Sequence, residues 1–204
     1  HGALLYLDLD QFKLVNDLCG HAVGDELLTI LSHRFASTLP EKALIARLGG
    51  DEFICLMEAV RSEDEVKLLA REILAAFDYP FKLGDHELFL TASVGISQSP
   101  GDGDSVLALM RNADTAMYRA KALGRGNFHF YTPEMTRDAQ ERIQMENLLR
   151  RALANGELSV HLQPQVETST GQLVGAEALV RWNSPELGLV MPMRFIPLAE
   201  DSGL

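Results

Sequence analysis

The sequence predicts an α/β fold of the α+β kind: a mixed sheet with helices packed on it, then a connector helix and the opening strands of a second sheet. Three observations carry this. Apolar runs of strand length alternate with helix-period segments from residue 3 to residue 131, in the order β-α-α-β-β-α-β-β-α-β. One hairpin interrupts the alternation at residues 43–57, which argues for a mixed rather than a wholly parallel sheet. Residues 132–155 then read as one long polar helix with sparse Met and Leu positions, suited to transmit rotation or form a coiled coil, and further strand-like runs follow it.

Residues 3–9 (ALLYLDL) are almost continuously apolar and read as a buried strand. The strand closes on Asp8, Leu9 and Asp10, whose two carboxylates share one face by the period of two. Asp10 precedes a helix over 11–18 and reads as its N-cap. Asp8 has no such role, and a carboxylate ending a buried strand is costly unless paired or metal-bound. Residues 20–25 (GHAVGD) read as a turn, and 26–36 as a helix burying Leu27, Leu28, Leu31 and Phe35. Asn16 and Asp25 flank that turn; they either cap helices or bind a base edge, and spacing does not decide between these.

The hairpin joins 43–48 to 53–57 through Gly49 and Gly50, which accept the positive φ of tight turns. Its tip sets Asp51 and Glu52 beside bare backbone, an arrangement that suits a phosphate with a cation between it and the acids; a solvated turn is the alternative. Residues 63–77 form the next helix, with Val66, Leu69, Ala70, Ile73 and Leu74 inward, and 81–83 pairs with 87–97 around Gly84 and Asp85. After a loop at 99–104, residues 105–123 form a helix with a bend, its apolar positions including Leu107, Leu109, Met110, Ala113, Met117 and Ala120. Lys121 and Arg125 near its end are ordinary complements to a helix dipole. A strand at 127–131 closes this part. Beyond the connector, 157–167 and 173–182 flank a turn, and a proline-punctuated loop leads to 195–199.

With 47% hydrophobic residues the chain is that of a packed protein, long enough for one domain and part of a second. A net charge of −11 without any basic stretch excludes wrapping nucleic acid or an anionic membrane. Cys19 and Cys55 sit in unrelated contexts and read as small apolar residues in a reducing compartment. No apolar run reaches the roughly 18 residues of a membrane span. The chain opens directly on a strand and stops without a closing element, so it is expected to be a piece of a longer protein with an upstream sensor or membrane anchor.

Four blocks in order resemble the GGDEF family, the diguanylate cyclases: Asp8-Leu-Asp-Gln-Phe-Lys-Leu-Val-Asn-Asp17, Gly20-His-Ala-Val-Gly-Asp25, Arg47-Leu-Gly-Gly-Asp-Glu-Phe53, and Arg111-Asn-Ala-Asp-Thr-Ala-Met-Tyr-Arg-Ala-Lys121 with Gly124-Arg125. The resemblance implies a palm-like sheet of nucleotidyl-cyclase type over residues 1–131, binding one GTP over the hairpin. By position, Asp8, Asp51 and the Leu9 carbonyl would hold Mg²⁺ (or Mn²⁺), with Glu52 assisting metal binding or activation of the attacking 3′-hydroxyl. Asn16 and Asp25 would read the guanine edge, Gly49 and Gly50 would admit the phosphates, and Lys13, Lys121 and Arg125 would neutralise them. The chemistry is consistent, since phosphoryl-type transfer rests mostly on positioning and charge stabilisation. Two domains face to face are needed to join two GTP, so a homodimer is implied. Pro40 and Ala43 stand where product-inhibited members carry Arg-x-x-Asp, so no such inhibitory site is expected.

Residues 156–204 resemble the start of an EAL domain, the cyclic di-GMP phosphodiesterase family, through His161-Leu-Gln-Pro-Gln165, Glu177-Ala-Leu-Val-Arg-Trp182 and Phe195-Ile-Pro-Leu-Ala-Glu200. By that resemblance Glu177 would be a metal ligand, with Gln163 and Arg181 contacting substrate, in the first strands of an incomplete β/α barrel that cannot act alone. The expectation is a cytoplasmic diguanylate cyclase in a tandem GGDEF–EAL signalling protein, partnered by GTP and cyclic di-GMP. The alternatives are a phosphodiesterase parent in which the GGDEF domain is a GTP-binding regulatory module, or a silent scaffold.

Overall fold

The structure, a computed structural model, describes residues 1–84 and 86–204. Asp85, read above as part of a turn, lies outside the described residues. The chain divides into two compact units, 1–136 and 137–204.

In the first unit β1 (Gly2–Leu9) is the middle strand of a five-stranded sheet. Its apolar run is continuous because both faces are covered. Ala3, Leu5, Leu7 and Leu9 belong to a core with α1 (Phe12–Cys19), α2 (His21–Thr38) and α3 (Glu63–Ala75), whereas Leu4 and Tyr6 pack with Ala113 and Met117 of α4 (Val106–Ala122). β2 (Ala43–Gly49) and β3 (Glu52–Glu58) form the hairpin, antiparallel to each other, and β3 lies antiparallel to β1. On the other side β6 (Ala92–Ser99) is antiparallel to β1, and β7 (Phe128–Phe130) runs parallel to β6. The sheet is mixed, as the central hairpin requires.

Several local expectations are corrected. The segment read as a turn at 20–25 turns only at Gly20 (φ 88°), and α2 starts at His21. Residues 87–97 are two strands, not one: β5 (His86–Leu88) pairs with β4 (Phe81–Leu83), and the chain then leaves that small ribbon for β6 in the main sheet. Helix α4 is continuous from Val106 to Ala122, and Leu107 faces solvent at 80% exposure, so it does not join the apolar face. Arg34 of α2 ties the end of α3 to β4, donating to the carbonyls of Ala76, Tyr79 and Pro80 at 2.7, 2.8 and 2.7 Å.

The second unit carries the greater part of α5 (Pro133–Ala152), an antiparallel sheet of β8 (Leu158–Val166), β9 (Leu173–Ser184) and β10 (Gly188–Val190), and α6 (Pro192–Ser202). β10 was not foreseen in the proline-punctuated loop. Its core gathers Met145, Leu149, Ala152, Trp182, Val190, Phe195 and Leu198, with the Trp182 and Phe195 rings edge to face at 5.6 Å. Buried Trp182 keeps its indole N–H satisfied by donating to Glu157 Oε2 at 2.9 Å. No barrel closes among the described residues. No helix among them is long and apolar enough to cross a membrane.

Candidate active site

The register of β1 against β3 places Asp8 directly opposite Glu52, on the sheet face that carries Tyr6 and Ile54 and that α4 covers. Two carboxylates facing each other across a ladder repel. A cation answers them: Lys121, in the last turn of α4, brings its Nζ to 2.7 Å from Asp8 Oδ1. Burial still pushes the Asp8 carboxyl above its ordinary pKa; Lys121 opposes that shift, and the charges of Asp51 and Asp10 add to it.

The hairpin tip is fixed to the end of β1. The Leu9 N–H donates to the Asp51 carbonyl at 3.2 Å, and the Arg47 Nε–H donates to the Gly50 carbonyl at 3.0 Å. Gly50 turns the corner with φ 55°, and Gly49 sits at a register shift between the strands. Glu52 also reaches the neighbouring face position, where burial first, then the charges of Glu52 and Asp114 and a Glu52 hydrogen bond, push the Tyr6 hydroxyl up to about 12. Arg47 was read from the sequence only as part of the hairpin signature, without a role of its own, and Tyr6 was not singled out, because nothing local marks a strand tyrosine as lying beside a turn carboxylate.

Asp10 is not the N-cap of α1. That position is Gln11, in a left-handed conformation (φ 63°) and without a side-chain cap. Instead Asp10 is buried and accepts from Thr91 Oγ1 at 2.6 Å, Ser93 Oγ at 2.8 Å and the Gly126 N–H at 3.1 Å, with Arg125 Nε 3.9 Å away. Lys121 and Arg125, read locally as dipole complements, therefore converge on the two aspartates of the β1 end.

Asn16 lies on α1 against Gly24 of α2, where a Cβ on the glycine would stand 2.0 Å from Asn16 Oδ1. That oxygen is buried without a hydrogen-bond partner. A buried amide oxygen left unpaired is uncommon and marks a place where a ligand or a small rotation restores the bond. Asp25 stands exposed in the first turns of α2, and Lys13 is exposed on α1.

Among the described residues no three His, Cys, Asp or Glu side chains close on an ion by themselves. The donors at the tip are all oxygens, on Asp8, Asp51 and Glu52 and the adjoining backbone, and Lys121 already marks the point where positive charge is needed. Such a set fits a hard dication completed by phosphate oxygens. In the second unit Gln163 and Glu177 are cross-strand partners on β8 and β9, both exposed, and Arg181 stands opposite Ser159 with its Nη1 donating to the Val180 carbonyl.

The family described as diguanylate cyclase, GGDEF domain, matches residues 1–127, and the EAL domain matches residues 146–204. Over 99% of its length the chain is 44% identical to a bifunctional diguanylate cyclase/cyclic di-GMP phosphodiesterase, MucR, of Pseudomonas aeruginosa. Over 98% of its length it is 45% identical to the cyclic di-GMP phosphodiesterase PdeR of Escherichia coli. The chain spans 29% and 30% of the length of these two curated relatives. Among solved structures, the isolated GGDEF domain of TpbB (YfiN) from Pseudomonas aeruginosa superposes with a TM-score of 0.65 at 36% identity, covering 68% of this chain and 81% of that one.

Proposed function

The chain belongs to the GGDEF family of diguanylate cyclases, followed by part of an EAL domain, and on that premise we propose that residues 1–131 act as a diguanylate cyclase. Two GTP give cyclic di-GMP and two pyrophosphates, each 3′-hydroxyl oxygen bonding to the α-phosphorus of the other nucleotide as pyrophosphate leaves. The observation that carries this reading is the facing pair Asp8 and Glu52 at the hairpin tip, with Lys121 Nζ 2.7 Å from Asp8.

In this reading Asp8, Asp51 and the Leu9 carbonyl hold Mg²⁺, or Mn²⁺, which when bound neutralises the triphosphate and polarises the phosphorus under attack. Glu52 would help to hold the ion or accept the proton of the 3′-hydroxyl. Asn16 and Asp25 hold the guanine edge, and the unpaired Asn16 oxygen supports that assignment. Gly49 and Gly50 admit the phosphates along bare backbone, and Lys13, Lys121 and Arg125 balance their charge. The first unit of each copy takes one GTP, so two copies meet face to face, in the cytoplasm where GTP is available. Residues 132–155 form the connector between the cyclase and the EAL portion at 156–204. Glu177, Gln163 and Arg181 serve the EAL domain of the whole protein as metal ligand and substrate contacts.

A second reading follows from the phosphodiesterase named among the relatives, 45% identical to this chain: the GGDEF unit binds GTP to regulate an EAL phosphodiesterase. Incubating the chain with GTP and Mg²⁺ and separating the nucleotides separates the two. Cyclic di-GMP that forms, and is lost in Asp51→Ala and Glu52→Ala, supports the cyclase. GTP that binds without conversion moves the assignment to the regulatory reading. Product formation that survives the double substitution removes the site assignment altogether.

A further inference from the structure

Asp10 has no part in the chemistry proposed above, yet it is 5% exposed, and a buried carboxylate is retained only where its neighbours satisfy it. Its oxygens accept from Thr91 Oγ1, Ser93 Oγ and Gly126 N–H, and its own N–H donates to the Thr91 carbonyl at 2.9 Å. Of those donors, Thr91 directly precedes β6 and Ser93 lies at its start, while Gly126 belongs to the loop after α4. Asp10 therefore joins three separate segments at one point.

The loop it holds is unusual. Gly124, Arg125 and Gly126 all have positive φ, at 111°, 61° and 60°. For arginine that region costs about 1 kcal/mol or more, and such strain persists only where surroundings over-determine it, often at functional sites. Here the surroundings do so. Arg125 N–H donates to the Ala120 carbonyl at 3.2 Å, and Asn127 Nδ2 donates to the Arg125 carbonyl at 2.9 Å and to that of Ala120 at 3.2 Å. The Gly126 N–H on Asp10 completes the set. A long, 55%-exposed side chain is thus launched from a fixed Cα beside the acids, and its single Nε approach of 3.9 Å to Asp10 orients the guanidinium without neutralising it.

We propose that Asp10 is a positioning residue: it locks the Gly124–Gly126 loop onto the end of β1 and so places the Arg125 guanidinium for the anionic tail of a nucleoside triphosphate. The inference rests on the GTP-site reading given above. A purely structural Asp10 predicts a general loss of stability, whereas a positioning Asp10 predicts a loss confined to the phosphates and shared with Arg125.

The test uses the whole chain with Asp10→Ala, Asp10→Asn, Arg125→Ala and the Asp10→Ala/Arg125→Ala pair. Two quantities are read: hydrogen exchange of the Gly126 amide, and affinity for GTP and for GMP in the presence of Mg²⁺. Asp10→Ala is expected to speed Gly126 exchange and weaken GTP about tenfold, leaving GMP within about twofold. On top of Arg125→Ala it adds nothing further, because the two act as one unit. Asp10→Asn is expected to retain most of the affinity, since its carbonyl can take the Oδ2 place and Ser93 can turn to accept; it also carries the comparison where Asp10→Ala does not fold. Equal weakening of GTP and GMP, losses that multiply with Arg125→Ala, or unchanged Gly126 exchange each overturn the proposal. A wild-type chain that binds no GTP overturns the underlying site reading instead, and is distinguished by being seen before any substitution is made.

Discussion

Gly24→Ala sets local stability against recognition and gives them opposite signs. Gly24 is buried inside α2 with ordinary helical backbone, so alanine should help the helix by about 1 kcal/mol. The obstacle is the neighbour. The new Cβ would stand 2.0 Å from Asn16 Oδ1, 3.1 Å from its Cγ and 3.2 Å from Phe12 Cζ. Real Cβ atoms essentially never approach closer than 3.0 Å, so the amide has to retreat by about 1 Å (3.0 − 2.0) or change rotamer. The retreat breaks no hydrogen bond to Oδ1, because that oxygen has none. The fold should therefore melt within a few degrees of wild type, since about 1 kcal/mol moves a domain of this size by only a few degrees. Guanine, in contrast, should lose its amide contact. One hydrogen bond left unmade in a buried site costs about 1–3 kcal/mol, or about 5- to 150-fold in affinity. Calorimetric titration with GTP, with ATP and with inorganic tripolyphosphate, beside a thermal melt, reads all the terms. Expected is a weaker GTP complex, a smaller preference for GTP over ATP, and unchanged tripolyphosphate binding. A Gly24→Ala chain that keeps the wild-type preference refutes the reasoning, because it shows that Asn16 does not need that position to meet the base.

Three further outcomes follow from the packing and the ionisable groups. Gly95 of β6 lies under α4, and a Cβ there would stand 1.8 Å from the Ala113 carbonyl oxygen and 2.1 Å from the Met117 nitrogen. Those are backbone atoms that cannot swing aside, so Gly95→Ala should destabilise the first unit by about 3 kcal/mol or more, and a wild-type denaturant midpoint would contradict the observed helix-on-sheet contact. Burial pushes the Cys55 thiol up to about 12, whereas Cys19 is partly exposed at the end of α1; an alkylating reagent at neutral pH should modify Cys19 and spare Cys55 until unfolding, and equal rates would refute this. Burial, with the Arg119 charge adding to it, lowers the pKa of His129 below 6.5. The folded state therefore favours neutral imidazole, so its contribution is present above pH 6.5 and lost as pH falls through the lowered value; denaturant midpoints on either side of pH 6.5 should show that slope flattened in His129→Gln.

The sheet was legible because β1 is apolar at every position from Ala3 to Leu7, which only burial on both faces explains, and because Gly49 and Gly50 marked the turn between β2 and β3. What misled were residues whose meaning is set by distant partners. The two glycines of GHAVGD read as a turn, yet only Gly20 has positive φ, and Asn16 lies against Gly24. The strand expected over 87–97 kept one apolar pattern while changing partners, since alternation reports which face is buried and not which strand lies alongside. Asp10 satisfied every local rule for an N-cap, and its real donors stand 81, 83 and 116 residues away in sequence. The basic residues near the end of α4 carried the same ambiguity: a dipole complement and a partner for Asp8 have the same local appearance.

The two aspartates at the end of β1 show how environment divides one residue type into two uses. They stand two residues apart, Asp8 within β1 and Asp10 just past its end. Asp10 meets three neutral protein donors, two hydroxyls and an amide, so its acceptor capacity goes into joining β1, β6 and the loop after α4. Asp8, among the described residues, is engaged in hydrogen bonds and ion pairs by Lys121 alone, and it faces another carboxylate in Glu52. A carboxylate accepts about four hydrogen bonds or ligand contacts, so Asp8 keeps most of its capacity free for the cation that the proposed reading places beside Glu52 and Asp51. The charges point the same way. Asp8, Asp51 and Glu52 against Lys121 leave two negative charges (three minus one), the charge of a single dication. Under the proposed cyclase reading a triphosphate approaching this tip would be repelled unless that balance were made first, so nucleotide and cation would bind as one ligand, and the neutral donors around Asp10 keep its charge from entering the same competition.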